Sequence, residues 1–223
     1  MSLINHNIKD LIRIKDHTLK EFQNDVIPLF NNSQKVGSRG KVFHFGIIRQ
    51  VMAYIEFCGA IYCGWTEKNR KGQFETGKVT TSDKAIRFIE DVMGNIDTNY
   101  NRNGRLFYCM FRHGSTHLLR PHQIKRKKSK FLFSWQWYSG RRKHQLKIAN
   151  GSEITIRHLQ LYKESSKEYV LPVSFECIIN DTYNAMVDFL DSLIKVRKSK
   201  TLPISQRRVL TFIAEGIVKR GDI

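Results

Sequence analysis

Ile4, Ile8, Leu11, Ile12, Leu19, Phe22 and Val26 recur at intervals of three and four, which predicts an amphipathic first helix over residues 3–30, ended by Pro28. The polar stretch NNSQKVGSRG leads to a second helix over Val42 to Trp65. It is apolar on most sides, as a helix central to a bundle would be. GWTEKNRKGQFETGK is a polar connection. Thr81 or Ser82 then caps a third helix whose Ile86, Ile89, Val92, Met93 and Ile96 mark one face, and a fourth begins near Tyr100 and runs through LFYCMFRH. The first 120 residues thus read as a four-helix arrangement.

After Pro121 the period changes from helical to alternating. In FLFSWQWY, Phe131, Phe133, Trp135 and Trp137 fall on one face, expected to pack on the core, and Leu132, Ser134, Gln136 and Tyr138 on the other. With turn signals at Ser139-Gly140 and Asn150-Gly151, strands near 131–138, 144–148, 153–162 and 169–173 predict a small antiparallel β-meander. Helical spacing resumes from Phe175 to Lys195, and a last helix follows Pro203. The expected fold class is mainly α, of α+β type. Residues 1–120 form a helical bundle, 121–174 a basic meander between helices four and five, and 175–223 two helices packing back on the bundle.

Charge changes the picture. The 223 residues carry 38 Lys plus Arg against 20 Asp plus Glu, a formal charge of +18, and such an excess seeks polyanions, nucleic acid before an anionic membrane. No membrane association is expected, because the most hydrophobic stretch, 42–65, carries Arg49 and Glu56 in its interior and no lipidation motif is present. MSLINHNIKDLIRIK lacks the unbroken apolar run of a signal peptide, so the expected location is cytoplasmic. Cys58, Cys63, Cys109 and Cys177 form no C-x-x-C pair and read as small core residues, not zinc ligands.

The densest candidate chemistry is FRHGSTHLLRPH, residues 111–122. His113 and His117 are four apart, on one face of a continuous helix, beside Arg112. No third histidine or carboxylate stands at metal-ligand spacing, so no metal and no other cofactor is expected. A phosphodiester site suits the residues better: Arg112 can hold a phosphate through its fork of donors, and a neutral His117 can accept a ribose 2'-hydroxyl proton. The same residues also suit a plain helix end, where cationic side chains favour the macrodipole. By position, His122 is expected to be solvated, and His44 and His158 to be satisfied core or sheet residues.

Arg112-His113-Gly114-Ser115-Thr116-His117 resembles the R-x4-6-H motif of the HEPN superfamily, in which a polar residue commonly follows the arginine. Arg39 to His44 has the same spacing but puts Gly in the polar position and falls at the start of helix two. Leu119 stands where several HEPN families place a tyrosine. The resemblance implies a compact helical bundle, a homodimer with a composite site, and a metal-independent endoribonuclease of toxin or phage-defence type. Arg112 would then be phosphate clamp, His117 general acid/base and His113 a polar second member. An antitoxin or sensor partner would suit such an effector. The second constellation is basic: Arg120, then Lys125, Arg126, Lys127, Lys128 and Lys130, then Arg141, Arg142 and Lys143, around the aromatic strand. Cations neutralise phosphates and aromatic faces stack on unpaired bases, so this region is expected to grip RNA. The alternative is a non-catalytic RNA-binding or partner-binding module using the same surface.

Overall fold

The computed structural model describes residues 8–35, 41–64, 67–68, 74–75, 80–113, 121–126, 130–147 and 152–221. Helix α1 spans Ile8–Lys35 and buries Leu11, Ile14, Phe22 and Val26. Pro28 lies inside this helix and does not end it. An interior proline removes one backbone hydrogen bond, but Val26 before it is buried and Leu29 and Phe30 after it pack on the core, so tertiary contact carries the helix past the break. Helix α2, Lys41–Cys63, buries Ile47, Ile48, Val51, Ile55, Cys58 and Ile61 and is the central helix. It stops at Gly64, whose φ of +72° is the left-handed geometry that ends helices, with its N–H donating to Ala60 O at 2.9 Å. Two-residue strands β1, Glu67–Lys68, and β2, Phe74–Glu75, pair antiparallel beyond it.

Helix α3, Thr81–Arg87, is capped by Thr80, one residue before the predicted cap, through an Oγ1 that accepts the Asp83 N–H at 3.1 Å. It crosses α2 so closely that a Cβ on Gly59 would lie 2.6 Å from Lys84 O. The chain then widens into a π-helical turn, Phe88–Val92, and tightens into a 3₁₀ turn, Met93–Asn95. The Asn101 and Asn95 side-chain amides donate to the carbonyls of Glu90 and Asp91 along it. Asp97 caps helix α4, Thr98–Tyr108, which ends in a second π-helical turn, Cys109–His113.

The β-region departs from the predicted meander. Its main sheet has the order β3-β4-β8-β7, formed by Ile124–Lys125, Leu132–Tyr138, Glu168–Ser174 and Tyr162–Lys163, and its central pair, β4 with β8, runs parallel in register from Leu132↔Glu168 to Tyr138↔Ser174. Strands β5, Lys143–Lys147, and β6, Glu153–Arg157, form a separate antiparallel hairpin. The physical reason is burial. KHQLK has no apolar face to offer a sheet centre, whereas the VLPV run of β8 suits a central strand whose two faces are covered, which is where parallel pairs are found. Pro172 is tolerated there because its carbonyl points to Leu159 N–H at 2.8 Å, away from β4, and its missing N–H falls on that same edge.

Ser174 ends β8 and caps helix α5, Phe175–Ser199, accepting the Cys177 N–H at 3.2 Å; α6 follows over Ile204–Gly221. One hydrophobic cluster draws on all six helices and β8, with β4 packed against it. An aromatic seam joins bundle to sheet. Phe111 lies 6.0 Å from Trp135 and 5.7 Å from Trp137, and Trp137 lies 4.6 Å from Phe175, so of the four aromatics expected on the core Phe133, Trp135 and Trp137 pack against it, whereas Phe131 takes no part in it. No helix among the described residues is long and apolar enough to cross a membrane.

Candidate functional site

The π-helical turn at the end of α4 places Arg112 against α2. Arg112 Nε donates to Glu56 Oε1 at 2.6 Å, and the Tyr108 hydroxyl donates to the same oxygen at 2.6 Å. The hydrogen bond to Glu56 raises the Arg112 pKa further, so the guanidinium keeps its charge throughout the biological range. Burial and the bond to Glu56 push the Tyr108 hydroxyl up to about 12. After the turn, buried Pro121 and half-buried His122 return along the same element, the His122 N–H donating to Met110 O at 3.1 Å. His122 is thus less solvated than its sequence position suggested. His113 closes the turn, and His117 and Arg120 lie outside the described residues. The structure therefore brings Arg112 to a half-buried carboxylate and a buried phenol, an arrangement that could exchange Glu56 for a phosphate.

The basic region is sorted by the fold. Lys125, Arg126, Lys130, Arg141 and Lys143 are exposed, and Lys127 and Lys128 lie outside the described residues. Lys163 and Lys167, which the sequence pattern did not single out, are exposed in the same region. Lys130 takes a φ of 56°, with Arg126 N–H donating to Phe131 O and Lys130 N–H to Arg126 O, both at 2.9 Å.

Arg142 is turned to another use. Its Nη1 donates to Asp97 Oδ2 at 2.8 Å and Asp181 Oδ2 at 3.0 Å, and its Nη2 to Asp181 Oδ1 at 2.5 Å. Asp97 and Asp181 are almost fully buried, with side chains 1% and 3% exposed. Arg157, from the partner strand of the hairpin, adds a second cation 3.5 Å from Asp97. Asp97 serves twice, because its other oxygen accepts the Asn99 N–H at 2.9 Å as the α4 cap.

His158 extends this network into the core, as its apolar surroundings in the sequence suggested. Its Nδ1 accepts the Ser174 N–H at 3.0 Å, which assigns the ring proton to Nε2. Nε2 then donates to the Tyr100 oxygen at 3.0 Å, and the Tyr100 hydroxyl donates to Asp181 Oδ2 at 3.0 Å. Burial, reinforced by Arg142 and Arg157, pulls His158 down to about 3, so it is neutral at pH 7. Burial raises Asp181, and the Arg142 hydrogen bonds pull it part of the way back. Leu159 next to it holds a φ of 54°, fixed by its N–H to Pro172 O and its carbonyl from Asn103 Nδ2 at 2.8 Å. Every polar group of the Tyr100–His158–Asp181 chain has a partner, so the network anchors the hairpin to α4 and α5.

The sequence reading found Arg112 but not Glu56 or Tyr108, its partners from α2 and α4. Glu56 had a signal: an acid inside an otherwise apolar helix needs a buried cation or donor. Asp97, Tyr100 and Asp181 had none beyond a capping position for Asp97. Cys58 and Cys177 are buried, Cys63 and Cys109 half-buried. Among the described residues, no three His, Cys, Asp or Glu side chains converge as metal ligands would. No family model matches this chain, and neither a curated protein nor a solved structure is found similar to it.

Proposed function

We propose that this protein binds single-stranded RNA along the exposed cations of its β-region. The observation that carries the reading is the set Lys125, Arg126, Lys130, Arg141 and Lys143, all exposed, with no carboxylate partner among the described residues. Such cations release counterions from a phosphate backbone, and affinity then falls steeply with salt. The overall charge of +18 favours the same encounter. RNA is preferred to DNA because the Arg112 segment resembles a ribonuclease motif.

A second reading, metal-independent RNA cleavage at Arg112, His113 and His117, is favoured by one observation. The π-helical turn holds Arg112 half-buried on Glu56, directly before the segment that carries His117. In this reading a phosphate displaces Glu56 from Arg112. His117 takes the 2'-hydroxyl proton, the alkoxide attacks phosphorus, and the bond from phosphorus to the 5'-oxygen breaks as His117 returns that proton to the leaving oxygen, giving a 2',3'-cyclic phosphate. Incubation of wild type and His117→Ala with labelled single-stranded RNA in EDTA separates the two. Cleavage by wild type alone supports the second reading. Equal, salt-sensitive binding without cleavage supports the first, and no binding at low salt sinks both.

A further inference from the structure

One face of the main sheet does two things along its length. At one end Trp135 and Trp137 of β4, with Leu171 and Val173 of β8, pack on the bundle. At the other end the same face carries, in register across four strands, Ile124, Phe133, Tyr169 and Lys163. Phe133 and Tyr169 lie nearly parallel, with centroids 5.6 Å apart and planes at 20°. Phe131 stands edge-on to Tyr169 at 5.5 Å and 84°. Ile124 and Phe133 still pack against the core, but Phe131 and Tyr169 are half-buried and take no part in it. The Tyr169 hydroxyl makes no hydrogen bond among the described residues. The Arg126 guanidinium lies 5.9 Å over the Phe133 ring, and Lys130 and Lys167 are exposed in the adjoining turns. Glu168, the carboxylate beside Tyr169, is in register with Leu132 and so belongs to the opposite face.

We infer that this end of the sheet is a stacking subsite for unpaired bases of single-stranded RNA, with Phe131 and Tyr169 as the platform and Arg126, Lys130, Lys163 and Lys167 as contacts to the flanking phosphates. The inference rests on the RNA-binding reading and adds to it what the chain recognises besides charge. Two accessible rings in T-shaped contact offer a π-face to a base of any identity, and four cations around them match a polyanion that carries such bases. An apolar peptide would leave those cations unmatched, and a base-free polyanion would leave the rings unused.

The test compares two probes: a fluorescent 12-nucleotide oligouridine RNA, and inorganic polyphosphate, which has the charge without the bases. Phe131→Leu with Tyr169→Leu keeps apolar volume and removes both rings. Expected is a loss of oligouridine affinity of at least about fivefold, since each stacked base contributes that much or more, with polyphosphate affinity unchanged and Tyr169→Phe binding as wild type. Should the double variant prove unstable, 5-iodouridine crosslinking on wild type decides the matter, with adducts expected at Phe131, Phe133 or Tyr169. Unchanged oligouridine binding, a parallel loss for both probes, or adducts confined to other residues overturns the stacking subsite. In those cases Lys125→Ala with Lys130→Ala still weakens both probes if the broader reading is right. A wild type that binds neither probe at low salt overturns both.

Discussion

Arg142 and Arg112 expose nearly the same share of their side chains, 33% and 30%, and each holds a carboxylate, at 2.5 Å for Asp181 and 2.6 Å for Glu56. What differs is the other side of the pair. Asp97 and Asp181 are sealed from water, the first beside a second arginine and the second linked through Tyr100 to a neutral histidine, whereas Glu56 is 19% exposed and has Tyr108 as its other donor among the described residues. A buried carboxylate left without its cation is strongly destabilising, while a half-exposed one recovers much of its solvation from water. The Arg142 cluster therefore holds the fold together, and the Arg112 pair costs less to open.

The largest break in this contrast is Arg142→Ala. It leaves buried Asp181 without a cation and buried Asp97 with only Arg157 at 3.5 Å, and we expect a loss of about 3–5 kcal/mol, read by denaturant unfolding. The same experiment on Arg112→Ala should show a clearly smaller loss, of about 1 kcal/mol, because Glu56 reaches water. An equal loss at both positions sinks the comparison.

Acid tests the Arg142 cluster next. His158 sits near 3 in the fold against about 6.5 when unfolded, so between these values the unfolded chain binds the extra proton. This contribution is therefore fully present above pH 6.5 and is lost as pH falls toward 3, by at most about 1.4 kcal/mol per pH unit. Asp181, raised in the fold, acts in the opposite sense: its cost at neutral pH is relieved as acid protonates it above its ordinary range. Unfolding midpoints from pH 7 to 5 should fall in wild type and stay flatter in His158→Gln. A flat wild-type curve with an unchanged variant argues against a neutral His158.

Glu56→Gln sharpens the other side. It removes the charge opposite Arg112 but keeps an oxygen for Tyr108, so we expect a stability change of about 1 kcal/mol or less together with tighter, more salt-sensitive RNA binding. Weaker binding would show that Glu56 serves the site and does not merely occupy it. The smallest effect belongs to Arg141→Ala and Lys143→Ala, the exposed neighbours of Arg142. Each should leave stability within about 0.5 kcal/mol and lower the salt slope of RNA binding by about one. Loss of stability at either would mean that the triplet is sorted less sharply than its exposures indicate.

The helices were legible because their apolar residues repeat at the helical period, and α2 showed its central place by being apolar on most sides. The alternating pattern over 131–138 was equally plain, down to the inward face with Trp135 and Trp137. Partner choice was not. Alternation tells which face of a strand is buried and is silent on its neighbour, so the parallel β4–β8 pair was invisible, although the near-continuous apolar run in β8 was a clue. The π-helical turns escaped because some of the donors that satisfy their carbonyls, such as Asn101 for Glu90 and His122 for Met110, come from outside the turn. Of the candidate site, Arg112 and most of the basic region could be named in advance, and Glu56 was marked by its charge inside an apolar helix, while Tyr108 and Tyr169 carried no such signal.

By itself, then, the order of residues determined which segments become helix or strand, which faces are apolar, and that the surface would carry a large positive excess. Those are local or additive properties, set by backbone periodicity and by counting charges. Only the tertiary structure decided which of three consecutive cations, Arg141, Arg142 and Lys143, would be drawn onto buried carboxylates and which would face solvent. It likewise decided that Phe133, Trp135 and Trp137 would pack on the core while Phe131, of the same alternating pattern, stays outside it. Burial and pairing depend on groups brought together from distant parts of the chain, and no residue's neighbours in sequence record them.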